Sequence, residues 1–170
     1  MFKRIMFTAL VATTMCLAAQ AQKFGYCNTN EIFNLMPEKA TAENTLKTAA
    51  EKYDTELKNL QEAFQKKLAD YQKQEEDAST PQAIKDRHQQ ELEEEYAKIQ
   101  NFQQTASQDL QKQQETLLAP ITQKIQNALQ AVGAEGGYTF ILDQAAGSIL
   151  YAGGSAEDVS GKVKAKLGIK

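Results

Sequence analysis

Apolar residues recur every three or four positions between Glu38 and Val132, and polar residues fill the positions between them. Such spacing is typical of a helix that buries one narrow apolar face. A first series begins at Leu46 and ends at Tyr71, and a second begins at Ile84. The pattern therefore predicts two unusually long helices.

Polar residues at 75–81 interrupt the pattern between the two series. Ser79 or Thr80 could cap the second helix, and Pro81 suits a first helical turn because that position has no hydrogen-bonded N–H to lose. Two helices joined by a short turn run antiparallel, so that each apolar face covers the other. The sequence predicts a coiled-coil hairpin over residues 37–132, with its tip near these polar residues.

The first predicted helix, Pro37 to Glu76, would be roughly 60 Å long at a rise of 1.5 Å per residue. Because this is about twice the width of a small domain, we expect the hairpin to project as an arm. The second helix contains Pro120, which removes one backbone hydrogen bond at a cost of about 3 kcal/mol. We expect a bend there, between Leu117 and Ile121.

Short elements precede and follow the hairpin. Strands are indicated by alternating aromatic and branched residues, and helix ends by glycines at 133, 136 and 137. The predicted elements are a strand over 23–28, a brief helix capped by Thr29 or Asn30, a hairpin of strands over 138–142 and 148–152, and a terminal helix capped by Ser160.

These short elements form a small body, residues 22–36 and 133–170, so the expected fold is α+β and mostly α. A body of this size buries little surface, and its open strand edges carry apolar side chains. We therefore expect an obligate oligomer that joins these edges. The candidate residues for subunit contacts are Tyr26, Phe140, Leu142, Ile149 and Tyr151.

The first 21 residues are predicted to be a cleaved signal peptide. Lys3 and Arg4 precede an apolar run too short to span a bilayer, and Ala19-Gln20-Ala21 has the form of a signal-peptidase site. An alternative is a lipoprotein acylated at Cys16, although bulky Met15 precedes it. Cleavage after Ala21 predicts an exported chain, residues 22–170.

The composition excludes several classes of function. The chain has 19 basic and 22 acidic residues, and loss of the two leader cations changes its net charge from −3 to −5, which disfavours nucleic-acid binding. Cys27 alone remains after cleavage, so no internal disulfide is expected, and a buried cysteine is favoured over an intermolecular bridge. His88 has too few neighbouring ligands for a metal site, and one histidine cannot supply a catalytic set. No enzyme and no cofactor are predicted.

Aromatic residues on the apolar stripe are the candidate binding residues. Most of the stripe should form the seam between the two helices, because a helix without a buried face is not stable. Two helices cover an aromatic side chain only in part, so some rings should remain accessible. The candidate client-contacting residues are Tyr53, Phe64, Tyr71, Tyr96 and Phe102. The acidic run at 91–95 is interpreted as a solvated helix face.

The order of these elements resembles the Skp (OmpH) family of periplasmic chaperones. Local similarity covers essentially all of the mature chain and is carried by the following stretches: Ile32 to Glu38, Leu117 to Ile121, Gly137 to Asp143 and Asp158 to Ser160. The resemblance implies a homotrimer with a barrel-like β body in the periplasm. Its arms would enclose a cavity that holds unfolded outer-membrane proteins without nucleotide or catalysis.

One departure from that family limits what the resemblance implies. Its well-known members are basic, and a positive surface is tied to membrane contact, whereas residues 62–98 here hold ten acidic and six basic side chains. Contact with anionic lipid is therefore not expected to carry over. Two other functions remain open: a periplasmic coiled-coil spacer or tether, and an adaptor for one folded partner.

Overall fold

The computed structural model describes residues 22–147 and 149–169, so the predicted signal peptide at 1–21 lies outside the described residues. The described chain is mostly helical with one small sheet, and this confirms the predicted fold class. It divides into two compact units. The sheet unit comprises the residues up to Leu35 and from Gln123 onward, and the arm unit comprises Met36–Thr122.

The elements follow the predicted order, with the following bounds: β1 (Phe24–Cys27), α1 (Thr29–Leu35), α2 (Pro37–Glu76), α3 (Gln82–Gly136), β2 (Phe140–Asp143), a 3₁₀ turn (Gln144–Ala146), β3 (Ala156–Asp158) and α4 (Ser160–Leu167). The 40-residue helix α2 begins and ends at the predicted residues. Helix α3 continues through Pro120 for 55 residues in all, and the bend expected there stays a prediction.

The sheet has β1 at its centre, paired in parallel with β2 on one side and with β3 on the other. The predicted hairpin of strands 138–142 and 148–152 is therefore wrong, since residues 149–152 form no strand and Ala156–Asp158 supplies the third one. A central strand has only two edges, and both edges of β1 are occupied. The apolar run points outward instead, with Leu150 95% and Tyr151 86% exposed.

The core of the sheet unit is small and is drawn from distant parts of the chain. Its largest fully buried side chains are those of Ile32, Val159, Val163 and Cys27. Burial raises the pKa of the Cys27 thiol to about 11, so it carries almost no thiolate at neutral pH. The structure supports the interpretation of this residue as a buried, inert cysteine.

Helix α1 is capped one residue before the predicted position. The Asn28 Oδ1 accepts from the Glu31 backbone N–H at 3.2 Å, and the Asn28 amide donates to the Glu31 carboxylate at 3.1 Å. Thr29 instead donates its hydroxyl to Asp143 at 2.5 Å. The prediction of Thr29 or Asn30 as the cap was thus wrong, because the reciprocal Asn28–Glu31 pair satisfies the helix terminus.

The predicted cap of α4 is wrong, and of the two candidates for α3 the structure assigns Ser79 a different role, while Thr80 stays a prediction. Asp158, not Ser160, accepts from the first backbone N–H of α4, at 2.9 Å. In the loop before α3, the Ser79 hydroxyl donates to Asp77 Oδ1 at 2.7 Å, so Ser79 orders the loop rather than capping the helix. An aspartate that accepts two residues ahead forms a local turn of its own, which competes with capping by the following serine.

The predicted glycine stop of α3 is confirmed at Gly136-Gly137, whereas the helix continues through Gly133 and past the predicted end at Val132. Gly137 has a φ of 64°, in the left-handed region where glycine carries no Cβ penalty. The Tyr138 N–H donates to the Gly133 carbonyl at 3.1 Å, and the Gly137 N–H donates to the Ala134 carbonyl at 3.4 Å. These two bonds form the Schellman motif, which satisfies the last carbonyls of the helix.

Candidate functional site

The arm unit contains an antiparallel seam between α2 and the first part of α3. Three ring pairs cross it, and their numbers rise along one helix as they fall along the other. The pairs, with their centroid separations, are Tyr53–Phe102 at 6.0 Å, Phe64–Tyr96 at 6.2 Å and Tyr71–His88 at 3.8 Å. The coiled-coil hairpin of the prediction is therefore present within this unit.

Few residues of this seam are fully buried. Ile99, Ala106 and His88 are between 6% and 8% exposed, whereas the aromatic rings opposite them are only half-buried and Tyr96 is 56% exposed. The two helices enclose small side chains and the stacked His88 ring between them, but the other rings extend past the contact line. The arm unit thus presents a row of partly accessible aromatic surface, as the sequence predicts.

Two tyrosine hydroxyls of this row donate to carboxylates on the opposite helix. The Tyr53 hydroxyl donates to Asp109 at 2.5 Å, and the Tyr71 hydroxyl donates to Glu91. These bonds raise the pKa of both tyrosines and lower the pKa of both carboxyl groups. Each bond satisfies the polar end of a ring and leaves its carbon faces for apolar contact.

His88 is a buried residue of the seam. Its ring stacks on Tyr71 with an angle of 12° between the planes, and only 6% of the residue is exposed. Across the described ranges, no group of three histidine, cysteine, aspartate or glutamate side chains could hold a metal ion. The imidazole serves here as a packing group, which agrees with the interpretation of His88 as a helix residue.

The acidic run at 91–95 has mixed partners. Glu91 pairs with Arg87 at 3.2 Å, and Glu95 bridges Lys98 at 3.3 Å and Lys67 at 3.5 Å. Exposed pairs of this kind contribute little stability each. The structure agrees with a solvated face for most of this run.

A second polar cluster lies in the sheet unit and was missed in the sequence. The Tyr138 hydroxyl donates to Glu157 at 2.5 Å, Lys23 lies 3.3 Å from the same carboxylate, and Lys162 donates to Tyr138 at 2.8 Å. These partners, Lys162 foremost, lower the pKa of Glu157 to about 2. The cluster connects the residue before β1 with β3 and α4, and its members are up to 139 positions apart, so no local pattern could have indicated it.

The comparisons with known proteins agree with this architecture. Residues 23–167 match the family described as Outer membrane protein (OmpH-like). The chain belongs to the OmpH-like family. A crystal structure from Caulobacter crescentus CB15, described as an OmpH-like outer membrane chaperone, superposes with a TM-score of 0.71 at 15% identity and covers 86% of this chain and 83% of that one. No curated protein matches the chain.

Family membership confirms the resemblance drawn from the sequence, and the structural likeness, at this identity, concerns the fold. No helix among the described residues is long and apolar enough to cross a membrane. The described part of this OmpH-like chain consists of a helical hairpin and a three-stranded sheet. Partly exposed apolar side chains lie on the hairpin and in the sheet unit.

The predicted contact residues form two sets, the client-contact candidates of the arm unit and the subunit-contact candidates of the sheet unit. All five aromatic candidates of the OmpH-like arm lie in the cross-helix ring pairs. Of the subunit-contact candidates in the sheet unit, three are largely exposed and Tyr26 and Ile149 are half-buried. Phe140 also stacks on Phe24 at 6.2 Å. The roles assigned to both sets stay predictions.

Proposed function

We propose that this OmpH-like chain is an ATP-independent holdase of the periplasm. It binds unfolded outer-membrane proteins between the helical arms of a homotrimer and so prevents their aggregation. The observation that carries the proposal is the row of partly exposed rings on the hairpin of a chain that matches this family over residues 23–167. The likeness to a protein described as an outer membrane chaperone supports it.

The chemistry of the ring row suits an unfolded client. Apolar contact is non-directional and scales with area, so rings repeated along the arm can bind many sequences weakly without selecting one shape. Tyr53, Phe64, Tyr71, Tyr96 and Phe102 are the proposed client contacts. Release then needs only that insertion of the folding client into a membrane bury the same apolar groups, which no nucleotide has to drive.

Self-association is supported by apolar groups on the surface of the sheet unit. Leu150 and Tyr151 are almost fully exposed, and Phe140 and Leu142 are 59% and 48% exposed. Adjacent exposed apolar groups on this scale mark interaction surfaces in soluble proteins. We propose that three copies cover these side chains together with Tyr26 and Ile149 in a shared β body.

Export is the remaining part of the proposal. The basic start, apolar run and small-residue site within residues 1–21 supply a signal for transport to the periplasm. Direct sequencing of the N-terminus of the chain recovered from the periplasm is expected to begin at Gln22. A chain that retains residue 21 or carries a lipid on Cys16 would contradict this part alone.

The main test is light scattering on residues 22–170, alone and after dilution of a urea-denatured outer-membrane barrel protein. We expect a mass of three chains and a discrete soluble complex with the client. Replacing Leu150 and Tyr151 by serine should shift the mass toward one chain, because both side chains are exposed in a single copy.

A trimer that leaves the denatured client to aggregate would refute the holdase and favour the spacer or tether. Binding to one folded protein with no effect on denatured ones would favour the adaptor.

A further inference from the structure

The arm unit has a groove of about 270 Å³ near its tip, between the end of α2 and the start of α3. Its floor is apolar and aromatic, and consists of Leu68, Tyr71, His88 and Leu92. Three carboxylate residues, Glu75, Asp86 and Glu93, also line it, together with a single lysine. This combination of an apolar floor and an acidic rim is the feature to explain.

The rim carboxylates outnumber the rim cation by three to one. Asp86 accepts from the Gln82 amide at 2.8 Å and Glu93 accepts from the Gln89 amide at 3.2 Å, and both amides are neutral. The only rim cation, Lys85, donates to the Glu75 backbone carbonyl at 2.6 Å rather than to a carboxylate. Among the described residues, none of the three rim carboxylates forms an ion pair.

Some other acidic residues of the arm unit differ in this respect. Glu43, Glu51 and Glu62 each pair with a lysine one turn away on α2. Charge at those positions is largely neutralised within the helix, whereas the groove concentrates unpaired negative charge around apolar surface. Apolar floor and acidic rim together select for a ligand that offers apolar and cationic groups side by side.

We propose that this groove binds extended segments of unfolded polypeptide in which an apolar side chain and a lysine or arginine are two residues apart. In an extended chain, residues i and i+2 point to the same side at a separation of roughly 7 Å. The apolar side chain contacts the floor beside Tyr71, and the cation reaches a rim carboxylate. This inference rests on the proposed holdase function and adds a charge preference for basic apolar client segments.

Electrostatics gives the expected size of the preference. One ammonium–carboxylate pair at roughly 6 Å in water changes an affinity by about threefold before screening. Reversing the sign of several such pairs should separate basic from acidic ligands by at least tenfold at about 0.1 M salt, where the screening length is about 10 Å. Near 1 M salt, where that length is about 3 Å, the ratio should fall toward one.

The test uses residues 22–170 and three fluorescent unstructured peptides with identical apolar residues. The residues two positions from each apolar residue are all lysine, all glutamine or all glutamate. Dissociation constants are measured by anisotropy at both salt concentrations. We expect the lysine peptide to bind most tightly and the glutamate peptide least tightly. Equal affinity for lysine and glutamate peptides at low salt would overturn the inference.

A matched pair of triple variants locates the effect in the groove. The first carries E75Q, D86N and E93Q, and the second carries D54N, E56Q and E115Q, which are exposed carboxylates outside the groove-lining set. Both triples add three units of charge. We expect the first to lose about tenfold in affinity for the lysine peptide and the second to lose less than threefold.

The outcomes separate this inference from the proposed function. An equal loss in both triples would place the preference in the net charge of the chain and overturn the groove as its source. Peptides that bind alike regardless of charge, with denatured client still held, would overturn the charge preference and leave the holdase standing. A chain that binds no peptide and holds no denatured client would overturn both. Circular dichroism verifies that each triple remains folded.

Discussion

Replacing Tyr96 by serine tests whether an arm ring contacts the client or only stabilises the arm. The side chain is 56% exposed and packs against Phe64. A fully buried aromatic side chain covers about 150–250 Å², so the covered part of Tyr96 amounts to about 90 Å². At about 25 cal/mol per Å², its loss should lower the free energy of unfolding by about 2 kcal/mol. Roughly 110 Å² remains free for a client.

Ile99→Ala is the matched control, because Ile99 lies on the same seam and is only 7% exposed. Truncating a buried isoleucine should cost about 2–5 kcal/mol of stability while removing almost no accessible surface. Urea denaturation followed by circular dichroism gives both stabilities. Anisotropy with a labelled, denatured outer-membrane protein gives both client affinities at a temperature where each variant is folded.

The expected result is an inversion between the two measurements. Tyr96→Ser should weaken client binding more than Ile99→Ala does, although it costs less stability. The reasoning is refuted if the serine variant remains a trimer and holds the client as tightly as the parent chain. It is also refuted if client affinity falls in proportion to lost stability in both variants, since the ring would then act through packing alone.

Three further predictions concern the sheet unit. Ile32→Ala removes a fully buried side chain and should cost about 2–5 kcal/mol by urea denaturation; a loss below about 1 kcal/mol would mean that the core collapses around the cavity. The pKa of Glu157 is lowered from 4.5 to about 2, so its stabilising contribution is present above pH 4.5 and is lost as the pH falls toward 2. Glu157→Gln should reduce the dependence of the urea denaturation midpoint on pH between 4.5 and 2. An unchanged pH dependence would refute the lowered pKa of Glu157. Gly137→Ala should cost about 1–2 kcal/mol because φ is 64°, whereas Gly154→Ala, which has open space and no such φ, should change the midpoint little; equal effects would contradict the strain argument.

The arm could be predicted from the sequence because its signals are local. An apolar residue every three or four positions fixes a helix and its face, and Pro37 and Gly137 mark the two ends of the hairpin by constraints on their own backbone. Such signals need no knowledge of distant residues. The bounds of α2 were accordingly correct to the residue.

The sheet could be predicted only in part, because strand pairing joins residues far apart. The run from Ile149 to Tyr151 has the composition of a strand, yet β1 pairs with Ala156–Asp158 instead. Composition indicates whether a segment can form a strand, whereas pairing with the edges of β1 determines which segment becomes one. The run stays exposed in the single chain, and its strand-like composition is consistent with the proposed trimer.

The candidate site shows the same division. The stripe predicted that aromatic rings would be partly exposed, but not that Tyr71 would stack on His88 while donating to Glu91. Those partners depend on the register between two helices, which follows from the loop at the tip and the packing of the whole seam. The unpaired state of the groove carboxylates depends on this register as well, because it can be recognised only when the cations on every neighbouring element are known.

The sparse packing of the seam and the proposed function have one physical origin. A hairpin of two helices has no third layer, so most of the rings that bridge the helices are only partly covered by them, and the stacked His88 ring is the exception. Small residues such as Ala106 close the seam, while rings such as Tyr96 stabilise it with one part and expose the other. Substitutions that bury more of each ring would raise the stability of the arm and remove surface that the proposed function assigns to the client. If the rings bind the client as proposed, the stability of the arm is expected to lie below its attainable maximum, since further packing would consume the binding surface.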